Sequence, residues 1–405
     1  MEVAEIIEGT TKLFVPKVSL GSAEPPTVPA FFNPAASRNR DITVAVVAAT
    51  RGKSLCDALA GVGARGLRVA NEIRRRVAIT FLEINPDSMA LARRSARANG
   101  VQDRCSFVGK DANAYLWSRG RTNERFDYVD IDPFGSPAPY LQGAFNAVED
   151  GGIVSVTATD TAVLCGVYPK VARRRYWATP LNNSFHHETA ARILVDACRK
   201  VAGSLDIGVQ PVLVHCTRHY IRVFVRATVG ASRADQAAEG EGYVVYCPKC
   251  GETSASREQR VACRSCGAKA KCAGPLWSSN LIDAEMFPRV LRHLGDRKLT
   301  EALGILEPLA DVDKFPPYSY SLEDICSRLR VPSVPPRLVR DSLEKRGFRT
   351  GVQPFERTGL KTDARFQEVV SAVKEESRTV GKVRSPSRDG QRLGESGTRQ
   401  EDRSS

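Results

Sequence analysis

Asp132-Pro133-Phe134-Gly135 places an acid, a proline and an aromatic ring directly after the apolar run Phe126-Asp127-Tyr128-Val129-Asp130-Ile131. The run reads as a buried strand, so the acid and the ring stand at its carboxyl end. This composition suits a clamp for a planar exocyclic amine. The Asp132 carboxylate and the carbonyl of Asp132 or Pro133 can accept the two amine protons. The ring of Phe134 can stack on the base that carries them.

A second site precedes it. Asp57-Ala58-Leu59-Ala60-Gly61-Val62-Gly63-Ala64-Arg65-Gly66 fits G-x-G-x-x-G between a strand and a helix, and Glu83 follows Gly63 by 20 residues. Glycines let the backbone approach a ligand, and an acid at the end of the next strand can bind ribose hydroxyls. The glycines alone fit NAD as well as S-adenosylmethionine. Asp111-Ala112, after the third strand, can read adenine through a carboxylate and a backbone N–H; Asp111 can equally cap the helix that follows. Together with the Asp132 motif and a terminal antiparallel hairpin, Asp111-Ala112 favours S-adenosylmethionine.

Cys247-Pro248-Lys249-Cys250-Gly251 and Cys263-Arg264-Ser265-Cys266-Gly267 form two knuckles. Cys247, Cys250, Cys263 and Cys266 have the spacing of a closed, structural Zn2+ site. Cys272 fits the paired pattern less well. His215, Cys216 and His219 read as packing or surface residues in preference to ligands, and His186-His187 has no evident partner. Cys56, Cys105, Cys165 and Cys198 read as core.

These residues need a scaffold. Strands are expected at Ser54–Ala58, Ala78–Ile84, Cys105–Val108, Tyr128–Ile131 and Ile153–Thr157. Helices are expected at Arg65–Arg75, Pro86–Asn99, Pro139–Val148 and Glu188–Val201. The alternation predicts a parallel sheet covered on both faces. Gly208–Cys216 and Tyr220–Val229 are too close in sequence for a parallel crossover and predict an antiparallel pair. The fold class is therefore α/β: a Rossmann-like class I S-adenosylmethionine-dependent methyltransferase fold, with a small zinc-ribbon-like module and an α+β C-terminal domain. Residues 1–52 form an N-terminal region contributing to the active site, irregular up to about residue 40, with Asp41 capping a helix to Thr50. Residues 53–235 form the methyltransferase domain, Gly230–Gly242 a linker, and 243–272 the cysteine module. Residues 276–372 form an RNA-binding domain with a winged-helix-like element, and 374–405 a disordered tail.

The 405-residue chain carries a net charge of +13, which favours an anionic partner, above all nucleic acid. Lys170, Arg173, Arg174 and Arg175 with Tyr176 and Trp177 form a basic-aromatic cluster suited to an RNA backbone; a solvated helix face is the plainer reading. Lys249, Arg257, Arg260, Arg264, Lys269 and Lys271 make the cysteine module basic. Arg328, Arg330, Arg337, Arg340, Lys345, Arg346 and Arg349 do the same for the third region. No run is long enough to span a membrane. Eleven cysteines without a secretion signal point to a reducing, cytoplasmic setting. No obligate protein partner is evident.

Phe31-Phe32-Asn33-Pro34, Asn39-Arg40-Asp41, the 57–66 turn and Asp132-Pro133-Phe134-Gly135 together resemble the tRNA (guanine(26)-N2)-dimethyltransferase family of archaea and eukaryotes. His219-Tyr220-Ile221-Arg222-Val223 and Thr358-Gly359-Leu360-Lys361-Thr362-Asp363 extend the resemblance over most of residues 5–370. It implies that Arg40, Arg65, Glu83, Asp111 and Ala112 contact S-adenosylmethionine, alongside Gly61 and Gly63, and that Asp132 is the key catalytic residue. Pro133, Phe134 and Phe32 would complete the slot for a guanine extruded from tRNA. Two other readings exist: an NAD-dependent oxidoreductase, and a non-catalytic RNA-binding protein on a methyltransferase fold.

Overall fold

The computed structural model describes every residue except 22–29, 123, 218, 356–358 and 384–405. The chain opens with a hairpin, β1 (Val3–Glu8) and β2 (Thr11–Pro16). After α1 (Ser37–Ala49) come β3 (Ser54–Ala58), α2 (Ala64–Glu72), β4 (Ala78–Leu82), α3 (Pro86–Ala98), β5 (Cys105–Val108), α4 (Ala112–Thr122), β6 (Phe126–Ile131), α5 (Leu141–Ala147) and β7 (Val148–Ala158). Three helices follow, α6 (Thr161–Leu164), α7 (Pro169–Tyr176) and α8 (His186–Gly203), then the hairpin β8 (Ile207–Cys216) and β9 (Ile221–Val229).

The main sheet runs β5-β4-β3-β6-β7-β9-β8. Strands β3 to β7 are parallel, and β9 enters antiparallel between β7 and β8. The chain reverses direction across the sheet between β3 and β6, which opens a crevice beyond their carboxyl ends. Register sets Asp57 of β3 opposite Asp130 of β6. The fully buried strand residues Leu55, Val129, Val154 and Val225 explain why these strands read as continuous apolar runs.

The segment before residue 40 is more regular than its prolines suggest; Pro25, Pro26 and Pro29 lie outside the described residues. Gly9 turns the first hairpin at φ +61°, and Leu13 and Val15 of β2 are fully buried. Helix α1 starts at Ser37, so Asp41 lies inside it and is not its cap; its carboxylate pairs with Arg68 at 2.6 Å. Glu8, at the tip of β1, binds both Arg40 of α1 and Arg68 of α2. The hairpin thus clamps the two helices that border the crevice.

The expected linker after Gly230 is also ordered: α9 (Ala231–Ala238) leads straight into β10 (Glu241–Tyr246). With β11 (Thr253–Ser256) and β12 (Lys271–Trp277) it forms the sheet β11-β10-β12 that carries the cysteine knuckles. Helices α10 (Met286–Asp296) and α11 (Thr300–Leu306) return to the catalytic core, where Phe287, Val290 and Leu294 pack with Ile42 and Val46 of α1. Then come β13 (Tyr320–Ser321), α12 (Leu322–Leu329), α13 (Pro336–Lys345), β14 (Thr350–Val352), β15 (Gly359–Thr362) and α14 (Phe366–Val383). Two helices followed by the pair β14–β15 have winged-helix order. Helix α14 carries regular structure past Lys374, where disorder was expected; the tail from 384 onward lies outside the described residues.

Lys361 explains part of the Gly359–Asp363 motif. Its Nζ, fully buried, meets Glu188 Oε1 of α8 at 2.8 Å and the Pro316 carbonyl at 2.8 Å. Glu188 also accepts from Arg192 Nε at 3.0 Å and Gln353 Nε2 at 2.6 Å. Burial raises the Glu188 carboxyl, but Lys361 and Arg192 outweigh it and hold it below the ordinary value. Lys361→Ala removes one partner from a buried acid and is expected to cost about 3 kcal/mol. Denaturant unfolding measures this; a loss below about 0.5 kcal/mol would show that Arg192 and Gln353 suffice.

Candidate active site

Arg65, in the first turn of α2, lies under the motif at the end of β6. Its Nε is 3.3 Å from Asp130 Oδ1, and its Nη2 pairs with Asp132 in a short contact. Nη1 donates to Asn39 Oδ1 at 2.8 Å and Thr43 Oγ1 at 2.7 Å, both on α1. On the other side Arg222 of β9 donates to Asp130 Oδ2 at 2.5 Å, Ser155 Oγ at 3.1 Å and Thr43 Oγ1 at 3.1 Å. Two arginines therefore hold a file of carboxylates. Asp130 and Arg222 are fully buried, while the Asp132 side chain is 30% exposed to the crevice. Partial burial raises the Asp132 carboxyl, but Arg65 and Arg222 outweigh it and hold it below the ordinary value.

Asp57 completes the file from β3. Its Oδ2 accepts the Gly66 N–H at 3.0 Å, which ties the strand to the third glycine of the turn. Burial, and next Asp130, raise its carboxyl to about 7. Gly63 has φ +73° and Gly61 φ +55°, so both occupy the left-handed region open to glycine. Gly66 serves close packing: a Cβ there would lie 2.5 Å from Phe81 Cε1.

Glu83 lies at the edge of the crevice, beside the glycine turn. Glu83 Oε2 accepts the Gly61 N–H at 2.8 Å and Oε1 the Asn85 N–H at 2.8 Å. A carboxylate has about four acceptor directions, so two remain for ribose hydroxyls. Ile84, directly after it, is 73% exposed at the crevice edge, an apolar surface that sequence reasoning missed. Asp111 caps α4, with Oδ1 accepting the Ala114 N–H at 2.9 Å, while Ala112 is buried in the first turn.

Two expectations change. Phe32 is only 3% exposed, with the Arg40 guanidinium 4.8 Å above its ring, so it belongs to the core and does not stack on a base. Its neighbour Phe31 faces the motif instead: the Phe31 and Phe134 rings lie 5.5 Å apart, and Phe134 is 70% exposed. Arg40 spends its fork on Glu8, through Nε at 2.6 Å and Nη2 at 2.5 Å, and on the Asn33 carbonyl at 2.9 Å. Its bidentate carboxylate partner is thus within the chain. Pro133 is buried and fixes the path between Asp132 and Phe134. The Asp132 loop is fastened to β7, because Gly135 donates to Thr159 Oγ1 at 2.6 Å and accepts from the Thr159 N–H at 2.9 Å.

The basic cluster lies next to this loop. Tyr176 of α7 bridges Ser136 Oγ at 2.8 Å and Asp160 Oδ1 at 2.6 Å. Arg175 is paired with Asp160 at 2.9 Å, while Lys170 and Arg174 are exposed. Tyr168 and Trp177 are about half exposed on the same helix ends, at 55% and 48%.

The four cysteines converge. Their Sγ atoms lie within 4.8 Å of one another, with Cys247–Cys266 and Cys250–Cys263 both at 3.6 Å. Tetrahedral Zn–S bonds of about 2.3 Å give an edge of about 3.8 Å, so the cluster fits Zn2+. Gly251 and Gly267, at φ +89° and +65°, make the two knuckle turns. Cys272 on β12 is not part of the cluster. Neither do His215, Cys216 and His219 form one among the described residues. His215 is a core residue with 1% exposure, and burial, then Arg222, lowers its pKa to about 3. A cavity of about 860 Å³, lined by Gly208, Thr228, Arg233 and Trp277 among others, opens at the opposite end of the β8–β9 hairpin and takes no part in this site.

The raised Asp57 carboxyl carries a pH signature. It stays protonated in the folded chain up to about pH 7 but ionises in the unfolded chain from about pH 4. Its contribution to stability is complete below about pH 4 and lost as pH rises toward 7. Asp57→Asn should flatten the melting temperature across that window; an unchanged slope would assign the pH dependence elsewhere. For the knuckles, Cys263→Ser should release the zinc of this cluster and lower the melting temperature, read by metal analysis and calorimetry. Unchanged metal content would remove Cys263 from the ligand set.

Comparison with known proteins agrees with this architecture. The family profile described as "TRM: N2,N2-dimethylguanosine tRNA methyltransferase" matches residues 9–374. A tRNA (guanine(26)-N(2))-dimethyltransferase of Methanopyrus kandleri is 37% identical, over 93% of this chain and 97% of its own. The enzyme of the same name from Saccharolobus solfataricus is 31% identical, over 92% and 99%. Trm1 from Pyrococcus horikoshii, solved with S-adenosyl-L-methionine, superposes with a TM-score of 0.81 at 28% identity, covering 91% of this chain and 99% of that one. The antiparallel β9, the paired carboxylates at the switch point and this whole-length similarity lead to one statement: the chain belongs to the N2,N2-dimethylguanosine tRNA methyltransferase family.

Proposed function

We propose that the chain transfers methyl groups from S-adenosylmethionine to the N2 amine of guanosine at position 26 of tRNA, giving the dimethylated base. The observation that carries this reading is the Asp132 carboxylate, partly exposed beside the glycine turn and held anionic by Arg65. The names of the relatives support the substrate, and the Pyrococcus structure supports the cofactor. They do not support an oxidoreductase, and the charged crevice argues against a non-catalytic role.

The crevice fits the methyl donor. A Cβ built at Gly61 would find nothing nearer than the Phe31 carbonyl oxygen at 3.7 Å, so the turn leaves room for a ligand. Gly61 and Gly63 would line it through backbone, Glu83 would take the ribose hydroxyls, and Asp111 with Ala112 would flank adenine against Ile84. Arg65 would stand at the methionine end, held from α1 by Asn39 and Thr43. When bound, the cofactor supplies an electrophilic sulfonium methyl.

Guanine N2 is a weak nucleophile because its lone pair is delocalised into the ring. Asp132 accepts a hydrogen bond from an N2–H and favours a pyramidal nitrogen. A carboxylate held below its ordinary value is a poor base, which supports orientation and stabilisation of positive charge on N2 over proton removal. Phe134, with Phe31, replaces the stacking that the extruded base loses. The methylated N2 then sheds one proton to solvent; one N–H survives the first transfer, so the same contact serves a second.

The exposed Lys170, Arg174, Tyr168 and Trp177 next to the Asp132 loop suit the RNA strand around the target base. Lys249, Arg264 and Lys269 of the cysteine module, and Arg330, Arg337 and Lys345 of the third region, are also exposed. Arg328 is exposed too, but its guanidinium is engaged, donating to the Lys249 carbonyl at 3.2 Å and Tyr246 Oη at 2.8 Å. Among the described residues no helix is long and apolar enough to cross a membrane.

Asp132→Asn keeps the side-chain shape and removes the charge. It should lower kcat by about 100-fold or more while leaving cofactor affinity nearly intact. Nucleoside mass spectrometry of tRNA incubated with labelled donor measures the first, calorimetry the second. Loss of cofactor binding would reassign Asp132 to the cofactor, and absence of any N2-methylguanosine with the wild-type chain would overturn the reading. Phe134→Ala should weaken tRNA binding by about 1–3 kcal/mol, the worth of one stacked base.

A further inference from the structure

Outside the knuckles, the fold assembles a second set of soft ligands from segments that sequence reading left unconnected. We propose that Cys165, His186 and His187 form a second Zn2+ site, separate from the four-cysteine cluster. One ligand atom of each lies within 4.8 Å of the others. The two imidazole rings are 4.3 Å apart at a tilt of 41°.

Two features show how the fold builds the set. Cys165 follows α6, and the next residue, Gly166, has φ +92° with its backbone against Leu181 and Asn182; a Cβ there would lie 2.8 Å from the Asn182 nitrogen. This close approach brings the end of α6 beside the start of α8, where both histidines sit. His186 Nδ1 meets the Asn183 carbonyl oxygen. A carbonyl only accepts, so Nδ1 carries the proton and the lone pair lies on Nε2. A ring N–H held by a carbonyl is the arrangement that fixes the tautomer of metal-bound histidines.

One thiolate and two imidazoles match the borderline-soft preference of Zn2+, and three protein ligands leave a fourth position for water. Binding releases the Cys165 thiol proton to solvent. The ion would join the α6 end to the α8 start. It would thereby brace the loop that runs from Asp160 through Cys165 into α7. Cys216, whose Sγ lies 3.8 Å from the His187 carbonyl oxygen, brings the end of β8 to the same place.

Metal analysis of the purified full chain, dialysed in metal-depleted buffer, tests the site directly. Cys165→Ser and His187→Gln should each lose one equivalent of zinc relative to the wild type. Cys263→Ser should lose a different one, so that its combination with His187→Gln loses both. Unchanged zinc content in both single variants, with native circular dichroism, overturns the proposal. A readout on the wild-type chain covers the case in which the variants do not fold. Mass-mapped alkylation at Cys165 should accelerate several-fold after chelation and slow again on adding Zn2+; labelling at equal rates with and without Zn2+ overturns the proposal as well.

Discussion

Asp130 and Asp132, two residues apart at the end of one strand, share two buried arginines, and the rest of the site depends on that sharing. Asp57 and Asp130 are register partners, and Asp132 lies two residues on, along the same strand face. Without Arg65 and Arg222 the pair Asp130–Asp132 could not ionise there, since each isolated buried charge costs several kcal/mol, and Asp57, which neither arginine bonds, stays protonated up to about pH 7. Arg65 comes from the helix that follows the glycine turn, and Arg222 from the antiparallel strand. The two arginines therefore tie the cofactor turn, the catalytic loop and the far half of the sheet into one electrostatic unit. Asn39 and Thr43 fix Arg65 from α1, so the N-terminal region enters the same unit.

Much of this was legible in the chain. The parallel strands announced themselves as apolar runs between glycine turns, and the hairpin by its short connection. The Asp132 motif, the glycine turn, Glu83 and the four cysteines were found by spacing. What escaped depended on distance in space. Phe31 and Phe32 are indistinguishable as letters, and only packing shows that Phe32 turns inward under Arg40 while Phe31 faces Phe134. The Arg40–Glu8 pair could not be foreseen, because nothing in the sequence places Glu8 beside Arg40. Asp130 and Arg222 could have been suspected, as charged residues in otherwise apolar strands seldom lack partners. The first hairpin was hidden because only one of its strands is well buried.

The modules after the sheet are not beads on a string. Helices α10 and α11 pack on α1, so a segment beyond the cysteine module completes the core before it. The first knuckle is gripped by Arg328 of α12, and Tyr320 Oη reaches the Thr253 carbonyl at 3.4 Å. Gly251 lies 3.3 Å, as a virtual Cβ, from the Arg328 side chain, so the knuckle turn and the winged-helix element meet closely. The winged-helix element thus touches the cysteine module on one side and the catalytic domain, through Glu188 with Gln353 and Lys361, on the other.

The Glu188–Lys361 pair joins residues 173 positions apart. During synthesis the sheet and α8 emerge long before Lys361 does, and domains fold in that order. Until then Glu188 has Arg192 beside it but neither Gln353 nor Lys361. An incompletely made chain thus holds an acid on a surface designed to be covered, hydrated and unattractive to apolar neighbours. The arrival of β15 then supplies Lys361 and takes the acid out of water.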